Sequence, residues 1–423
     1  MIAAIILFAI TYVLMLTLSK YRTYVALASG LIFILSGMLP VAEILPSLDF
    51  NVLMMIAGTM GLVALFIESK MPSLLADIIM EKVPNIQMAA VALALFSGVI
   101  SAFVDNVATV LMVAPVALAI CQKLNTNPIP FIIGVAVSSN LQGAATLVGD
   151  TTAIMLGSAL DMSFMDFIFY HGKPGMFFIV ELGAVLSALI LAWIFRNEKG
   201  AIPKAAQRTE VTDYVPTILL VGTIVLLILA SFIPNKPAVT NGLICCVLLV
   251  IGLIYNYARK RELSAITEPL KGIDFETIGL LVGLFIMIGG ISYQGVIDAL
   301  AKILADLGGG NVFLMYTIIV WASVVISAFI DNIPYVATMI PVIAGLAIEM
   351  GCDPTPLYFG LLSGATLGGN CTPIGASANI TGIGILRKAG YDVKNSDFFK
   401  IGIPFTLSAI IPAYILVWVL FGM

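Results

Sequence analysis

Residues 101–116 read SAFVDNVATVLMVAPV, and residues 327–342, 226 positions later, read SAFIDNIPYVATMIPV. Eight of the sixteen positions are identical, whereas chance in so apolar a chain would give about one or two, so the pair is an internal repeat. Each copy places an Asp-Asn pair inside an apolar run. An ionised carboxylate near the centre of a bilayer is unfavourable by roughly 2.5–3.5 kcal/mol. Asp105 and Asp331 therefore need cations, protons or water beside them, which favours a functional use of both charges.

The composition excludes a soluble globular domain. Of the 423 residues 61% are hydrophobic and 10% are charged, the mean hydropathy is +1.10, and apolar runs of about 20 residues recur along the chain. The sequence predicts an all-α polytopic membrane protein in a lipid bilayer. Its five cysteines lack metal-ligand spacing and His171 is its single histidine, so neither structural zinc nor a cofactor is predicted. Basic residues flank the spans, and no nucleic-acid partner is expected.

A second pair of motifs repeats at the same offset. Residues 140–154 read NLQGAATLVGDTTAI and residues 366–380 read TLGGNCTPIGASANI. Both are too rich in glycine and polar residues for a helix facing lipid, and broken helices are tolerated at membrane depth only where they line a cavity or are buried in protein. One duplication explains both motif pairs. The identical positions of the second pair are Leu141/Leu367, Gly143/Gly369, Thr146/Thr372, Gly149/Gly375 and Ile154/Ile380.

The two motif pairs divide the chain into two repeats, 1–195 and 214–423, joined by a cytoplasmic linker at 196–213. We predict a re-entrant hairpin at about 88–120 and a broken helix at about 130–160 in the first repeat. Their counterparts in the second repeat are predicted at about 311–350 and about 356–386. Each repeat would cross the membrane five times, which gives about ten crossings plus two hairpins. An odd number of crossings inserts the two copies with inverted topology.

The basic residues provide an independent test of this topology. If the segment with Lys20 and Arg22 is cytoplasmic, the same side holds 17 of the 20 Lys and Arg residues, as the positive-inside rule requires. Only Lys173, Lys236 and Lys302 lie on the other side. The sequence therefore predicts a multi-pass protein of the cytoplasmic membrane with both termini outside. The first hairpin would enter from the cytoplasm and the second from the exterior.

Inverted repeats with broken helices near the midplane are the architecture of secondary transporters. The hairpin tips and the glycine-rich breaks should converge on a cation- and substrate-binding site that holds three acids and no Arg, Lys or His. Such a set favours a cation or a proton. The predicted site residues are Asp105, Asn106, Thr109, Asn140, Gly143, Thr146, Asp150, Thr151, Asp331, Asn332, Gly369, Asn370, Thr372, Ser377 and Asn379. Gln142, Thr152 and Thr366 belong to the same polar set.

The DN-centred hairpins, with NLQGAATLVGD and LGGNCTPIGASANI, resemble the ion transporter superfamily over essentially the whole chain. Within it they are similar to the branch of the arsenite efflux pump, the melanosomal P protein, the D-type sodium/proton antiporters and the citrate-transporter-like permeases. The resemblance implies a homodimer in which a scaffold domain holds a transport domain that moves elevator-fashion. It also implies coupling ions, Na⁺ or H⁺, held by loop carbonyls and by the side chains of Asp105, Asn106, Asp331 and Asn332.

Two departures from the family pattern bear on the substrate. Dicarboxylate members have Ser-Asn-Thr at the hairpin tips, whereas here the tips read DNV at 105–107 and DNI at 331–333. An acid there repels a carboxylate unless Na⁺ masks it. The Gly-Asp-Pro-Pro-Asn of the arsenite and antiporter branch is GDTTA at 149–153, so the Asn is missing at Ala153 while Asn379 is kept. Asp150 is either an ion ligand or only the N-cap of the helix that follows.

The sequence predicts a secondary active transporter, coupled to Na⁺ or H⁺, that moves a small inorganic or organic anion or a metalloid oxyanion. Sodium/proton antiport with Asp105 and Asp331 as cation or proton sites is the alternative, favoured by the predicted lack of basic groups. A channel is a second class. A membrane enzyme is a third, but neither acid lies in a G-x-G-D context and H-E-x-x-H is impossible with one histidine. We therefore expect a transporter and not an enzyme.

Overall fold

The computed structural model describes residues 1–124, 126–200 and 208–423. The predicted linker at 196–213 falls partly outside this range, because residues 201–207, with the predicted cytoplasmic Lys204, lie outside the described residues. Regular structure in the described part is almost entirely helical and confirms the all-α membrane class. The exception is a hairpin of two-residue strands, β1 (Phe169–Tyr170) and β2 (Lys173–Pro174).

The first half of the chain forms eleven helices in the described residues. Two of them meet at Asp105, and two others flank the first glycine-rich break. In chain order they are α1 (Ile2–Thr17), α2 (Arg22–Leu35), α3 (Ile44–Ser47), α4 (Phe50–Glu68), α5 (Met71–Lys82), α6 (Ile86–Ser101), α7 (Asn106–Leu124), α8 (Ile129–Gly143), α9 (Thr151–Ala159), α10 (Phe164–Ile168) and α11 (Met176–Ile194).

The second half forms ten further helices in the described residues. In chain order they are α12 (Val215–Ser231), α13 (Thr240–Lys260), α14 (Ser264–Lys271), α15 (Phe275–Tyr293), α16 (Val296–Gly308), α17 (Val312–Ser327), α18 (Asn332–Met350), α19 (Thr355–Leu362), α20 (Ser377–Lys388) and α21 (Asn395–Val417). Helix α19 continues as a π-helical segment, Ser363–Leu367, which enters the second glycine-rich stretch, and a 3₁₀ turn, Gly369–Cys371, lies within that stretch.

Seven helices in the described part are long and apolar enough to cross a membrane, namely α4, α7, α11, α13, α15, α18 and α21. The pair α16–α17, bent by 115°, also qualifies as one broken span or re-entrant loop. Helices α7 and α18 are the second legs of the two predicted hairpins, so helix length does not separate a hairpin leg from a crossing. The count of about ten crossings plus two hairpins therefore stays a prediction.

Helix starts recur at matching positions of the two halves. Asn85 and Asn311, 226 positions apart, accept hydrogen bonds from first-turn N–H groups of α6 and α17 at 2.9 and 3.0 Å. Asp49 and Asp274 cap α4 and α15 in the same way, both at 3.0 Å. Each cap satisfies a backbone N–H that lipid could not satisfy. The same local signals thus begin the same helices in both halves.

The broken helices form the centre of the bundle. Every residue from 131 to 157 is buried, and so is every residue from 355 to 370. These ranges hold most of α8, the first break, most of α9, and the segment from α19 into the second break. Because interrupted backbone at membrane depth must be enclosed by protein, this burial explains how such glycine-rich stretches are accommodated.

Glycines bring two pairs of helices into close contact. A Cβ added to Gly58 of α4 would lie 2.6 Å from the Cβ of Cys245 in α13. A Cβ added to Gly283 of α15 would lie 2.5 Å from the backbone of Ala26 in α2. Small residues at such positions allow helix backbones to approach closely in membranes. We refer to α2, α4, α13 and α15, which form these two closely packed pairs, as the frame helices.

Candidate functional site

The tip of the first hairpin (α6–α7) is held by its own acid and by α8. The Oδ1 atom of Asp105 accepts hydrogen bonds from the N–H groups of Val107 and Ala108 at 3.0 and 3.1 Å, so the carboxylate caps α7. The side-chain amide of Asn106 donates to Oδ1 of Asn140 at 2.9 Å. Among the described residues, Asp105 forms no salt bridge with Lys or Arg.

The tip of the second hairpin (α17–α18) has a different electrostatic environment. Oδ1 of Asp331 accepts from the N–H of Ile333 at 3.1 Å, as at the first tip. Its Oδ2, however, lies 2.6 Å from Nη1 of Arg22 and also accepts from the Ser377 hydroxyl at 3.1 Å. The expectation that no Arg, Lys or His lies at the site is therefore wrong. Sequence reasoning assigned Arg22 only to a cytoplasmic segment.

Two threonines tie the glycine-rich breaks to the hairpins. The hydroxyl of Thr146 donates to the carbonyl of Ala102, at the end of α6. Its counterpart Thr372 donates to the carbonyl of Ala328, at the end of α17. Each hydroxyl also accepts an N–H two residues further on, at 3.3 Å in both halves. These bonds give Thr146 and Thr372 a positioning role in the described structure.

Two glycines permit the breaks to close on themselves. A Cβ added to Gly149 would overlap the carbonyl oxygen of Gly143, and one added to Gly375 would overlap the carbonyl oxygen of Gly369. No side chain fits at Gly149 or Gly375 without a backbone shift. The pairing Gly143/Gly149 in one half and Gly369/Gly375 in the other repeats the same contact, as the duplicated sequence predicts.

The two breaks are joined by amide side chains. Nδ2 of Asn140 donates to the carbonyl of Thr366 at 2.7 Å and to Oδ1 of Asn370 at 3.1 Å. In return, Nδ2 of Asn370 donates to the carbonyl of Val137 at 2.9 Å. All three polar residues are fully buried. The predicted convergence of the two glycine-rich stretches is thus present in the described structure.

Asp150 caps α9 and also faces the space between the breaks and the frame helices. Its Oδ1 accepts from the N–H of Ala153 at 2.6 Å and from the hydroxyl of Thr152 at 2.7 Å. Thr152 in turn lies 2.9 Å from the hydroxyl of Thr366. Oδ2 of Asp150 is buried and has no hydrogen-bond partner among the described residues. Asp150 therefore combines the N-cap role with an unsatisfied carboxylate oxygen.

A cavity of about 390 Å³ opens between the hairpin tips, the breaks, α4 and the start of α15. It brings together one group of predicted site residues: Asp105, Asn106, Asp150, Thr151, Asn332 and Ser377, with Thr152. The others are not part of its lining, namely Thr109, Asn140, Gly143, Thr146, Asp331, Gly369, Asn370, Thr372 and Asn379.

Three lining residues were missed by sequence reasoning, namely Lys271, Asp274 and Thr277. Asp274 caps α15 and its Oδ2 accepts from the hydroxyl of Thr277 at 2.6 Å. The charges of Asp274 and Asp150 act on Asp105 across the cavity. The Asp-x-x-Thr pattern before the span at 275–293 signals only a helix cap. Its position beside the cavity depends on tertiary packing.

Several buried side-chain oxygens of the predicted site lack a hydrogen-bond partner and are of the types that bind cations. The oxygens Thr109 Oγ1, Asp150 Oδ2 and Asn379 Oδ1 are buried without a hydrogen-bond partner in the described part of the chain. Hydroxyl, carboxylate and amide oxygens are ligands that hard cations accept. No cluster of three or more His, Cys, Asp or Glu side chains of metal-binding geometry occurs among the described residues. A cation bound in the cavity would therefore be held by mixed oxygen ligands, such as the carboxylates, hydroxyls and amides of its lining.

Buried broken helices, paired hairpins and a polar cavity between them define a polytopic membrane transporter. The sequence matches the model of the citrate transporter family, CitMHS, over residues 12–359 and 243–423. The chain belongs to this citrate transporter family. The assignment confirms the resemblance to the ion transporter superfamily and the prediction of a transporter instead of an enzyme.

Similar proteins agree with this assignment. An uncharacterized transporter of Mycobacterium tuberculosis is 31% identical over 430 residues, which cover 99% of this chain and 98% of that protein. The human P protein is 27% identical over 84% of this chain and 52% of its own length. The solved structure of the Alcanivorax borkumensis YdaH transporter aligns with a TM-score of 0.61 and 14% identity over 89% of this chain and 87% of that one. The solved structure of MtrF of Neisseria gonorrhoeae aligns with a TM-score of 0.55 and 14% identity, over 87% of this chain and 80% of that one. At this identity the two structures show the fold alone.

Proposed function

We propose that this transporter is secondary active, is coupled to Na⁺ or H⁺, and moves a small anion or metalloid oxyanion across the cytoplasmic membrane by alternating access. The cavity is the observation that carries the proposal. It places Asp105 and Asp150 of the first half beside Asn332 and Ser377 of the second. Binding sites built from both halves at interrupted helices are typical of secondary transporters.

The charges of the cavity explain why a coupling cation is part of the proposal. Its described lining holds three carboxylates, Asp105, Asp150 and Asp274, and one basic residue, Lys271. A bare anion would meet a net negative field, which is strong at low dielectric. A cation that binds first would offset this field, and the unpaired oxygen of Asp150 supports its presence. The description of the family as citrate transporters places citrate among the anions to be tested.

The position of the cavity supports an inward-facing state. Its lining includes Ile67, in the last turn of α4, and Lys271. Glu68, the next residue of α4, forms an ion pair with Lys260 at the end of α13. Basic residues concentrate on the cytoplasmic side of membrane proteins, so this end of the bundle is cytoplasmic in the proposal and both termini are outside.

The remaining parts of the proposal concern assembly and motion. Inverted repeats at 1–195 and 214–423 are supported by the caps, threonine bonds and glycine contacts that recur in both halves. A homodimer with elevator-like movement of the hairpins and breaks follows the resemblance to the superfamily. Labelling of introduced cysteines near residues 105 and 331 from each side of the membrane tests the inverted arrangement. Opening of both tips to one compartment in every condition would contradict it.

Flux through liposomes tests the central proposal. Purified wild-type protein should show anion uptake driven by a Na⁺ or proton gradient. Asp105→Asn and Asp150→Asn keep the side-chain shape and the capping geometry but remove the charge, and each should lower the gradient-driven flux by about tenfold or more. Asp306→Asn, on the exposed face of α16, is the matched control. Wild-type flux in both cavity variants would contradict the proposal.

Thermal-shift screening addresses the cargo. Na⁺, Li⁺, citrate, sulfate, phosphate and arsenite should be compared singly and in cation–anion pairs. A ligand present at 100 times its dissociation constant stabilises the folded protein by about 2.7 kcal/mol. The charge of the cavity predicts a larger shift for an anion together with its cation than for the anion alone.

Sodium/proton antiport is the second candidate, and the excess of carboxylates over basic groups in the cavity favours it. Here Asp105 and Asp150 fit the cation site better than Asp331 does, because Arg22 already neutralises Asp331. A pH-sensitive dye in everted vesicles separates the two candidates. Na⁺-dependent proton movement without any added anion favours antiport, whereas a requirement for the anion favours the leading proposal.

A further inference from the structure

The ion pair between Arg22 and Asp331 connects one frame helix to the tip of the second hairpin. Arg22 begins α2 and Asp331 precedes α18, and their side chains are only 30% and 14% exposed. The hydroxyl of Tyr12 in α1 adds a second polar contact, since it donates to the carbonyl of Pro334 at 2.6 Å and lies beside the hydroxyl of Thr338. The second hairpin is thus bonded to α1 and α2 through its first turn.

The charges around this pair are unequal. Besides Asp331, the carboxylates of Asp274 and Glu276 act on the Arg22 guanidinium from the start of α15. Nη1 donates its hydrogen bond to Asp331 alone among the described residues. The corresponding acid of the first hairpin, Asp105, has no basic partner in the described structure. The duplication has therefore given one tip a free acid and the other a paired one.

Ser377 links the pair to the cavity. Its hydroxyl donates to Oδ2 of Asp331 at 3.1 Å, and the same residue lines the cavity. A hydroxyl has a single proton to donate and two lone pairs. Because Ser377 donates this proton to Asp331, its hydroxyl oxygen can act toward the cavity only as an acceptor. Asp331 therefore favours a cation next to Ser377 without lining the cavity itself.

Separation of Arg22 from Asp331 would leave two partly desolvated charges. Fully exposed ion pairs contribute little, because water replaces the partner. Loss of one partner of a buried pair is strongly destabilising, because the other charge remains desolvated. The Arg22–Asp331 pair lies between these limits. Such a pair can bias a conformational equilibrium. Because both side chains are partly exposed to water, the pair can also separate.

We propose that Arg22 and Asp331 form a latch that holds the second hairpin tip against α2 in the inward-facing state and opens when the hairpin moves toward the outside. Arg22 is then a positioning residue for transport, and Asp331 is its partner instead of a coupling-ion ligand. The proposal rests on the alternating-access function proposed above. It explains why the two duplicated acids have different environments.

Side-specific labelling of one cysteine tests the latch. Ala108→Cys, in the lining of the cavity, is placed in a full-length chain whose five native cysteines are replaced and whose flux is measured first. A membrane-impermeant maleimide is applied to right-side-out and to inside-out vesicles. Arg22→Gln and Asp331→Asn should each raise the ratio of outside to inside labelling by about fivefold or more. Arg22→Lys, which keeps the charge, should stay close to the parent.

Two further variants separate charge from fold. The exchange Arg22→Asp with Asp331→Arg restores an ion pair of opposite polarity and should bring the labelling ratio back toward the parent. Arg208→Gln removes a surface ion pair with Glu81 of α5, outside the second hairpin, and should leave the ratio unchanged. An unchanged ratio in Arg22→Gln, whatever its expression level, would overturn the latch.

The outcome for the latch is distinguishable from that for the proposed function. If the parent shows no gradient-driven flux and no labelling from the outside in any ion condition, alternating access itself fails. A second outcome is that the parent transports, Asp331→Asn abolishes flux, and Arg22→Gln transports normally with an unchanged labelling ratio. In that case Asp331 is a cation ligand and the latch is wrong.

Discussion

Nδ2 of Asn140 lies 3.1 Å from Oδ1 of Asn370, so the amide of the first glycine-rich stretch is bonded to the amide of the second. Both residues are completely buried. Asn140 also receives a hydrogen bond from Asn106 at the first hairpin tip. One side chain therefore holds three parts of the centre together: a hairpin tip and both breaks.

Asn140→Ala should destabilise the protein more than an ordinary polar truncation. It removes the donor to Asn370 and the acceptor for Asn106 while these groups remain buried, and a buried polar group left without a partner is unfavourable by about 1–3 kcal/mol. Thermal unfolding in detergent measures the loss. Asn197→Ala, at an exposed position, is the control. A midpoint lowered no further than in the control would show that the amide network is unimportant.

The two glycines of the breaks should be intolerant of any side chain. Gly149→Ala and Gly375→Ala each force a Cβ onto a backbone carbonyl, and such overpacking typically destabilises by about 1–3 kcal/mol. Because the two contacts are equivalent, similar losses are expected for both variants.

Gly222→Ala is the matched control for these glycines, since nothing lies within 4 Å of its added Cβ. Alanine is favoured over glycine in a helix by up to about 1 kcal/mol, so this variant should be neutral or slightly stabilised. Equal midpoints for all three alanine variants would contradict the close backbone contact at the breaks.

Much of this centre could be predicted from the sequence. The duplicated Asp-Asn pair and the glycine-rich stretches break the apolar pattern at matching positions, and a polar break in an apolar chain indicates burial or a cavity. The N-cap at Asp150 followed from an acid placed just before a helical segment. These signals are local in the sequence, so they can be recognised without knowledge of tertiary contacts.

The partners of those residues could not be predicted. Arg22 and Asp331 are 309 positions apart, and a basic residue at the end of a span usually indicates only the membrane interface. Lys271 ends α14 and Asp274 precedes α15, and the polar sequence around them is typical of a solvated loop. Only the packing of α15 beside the hairpin tips brings these residues to the cavity. No periodicity in the sequence predicts that packing.

Asp150→Asn should separate the two roles of this residue. Asn and Asp are comparable N-caps, so the unfolding midpoint should hardly change. The charge beside the unpaired Oδ2 is lost, however, and the cation concentration that gives half-maximal flux should rise by about tenfold, or flux should cease. Asp49→Asn changes another capping acid, at the start of α4, and should leave the cation dependence intact. A large fall in the midpoint with normal cation dependence would indicate a purely structural Asp150.

Lys271→Gln should distinguish anion transport from antiport. Lys271 is the single basic residue in the described lining of the cavity, and its ammonium also lies 2.6 Å from the exposed Glu268. Because the side chain is largely exposed, its field on a bound anion is screened by solvent. If an anion is the cargo, its KM should rise by about threefold while the cation dependence is kept. Lys302→Gln, at an exposed position of α16, is the control. An unchanged anion KM together with altered Na⁺-driven proton movement would favour antiport, because the lysine then acts only on the cation site formed by the neighbouring carboxylates.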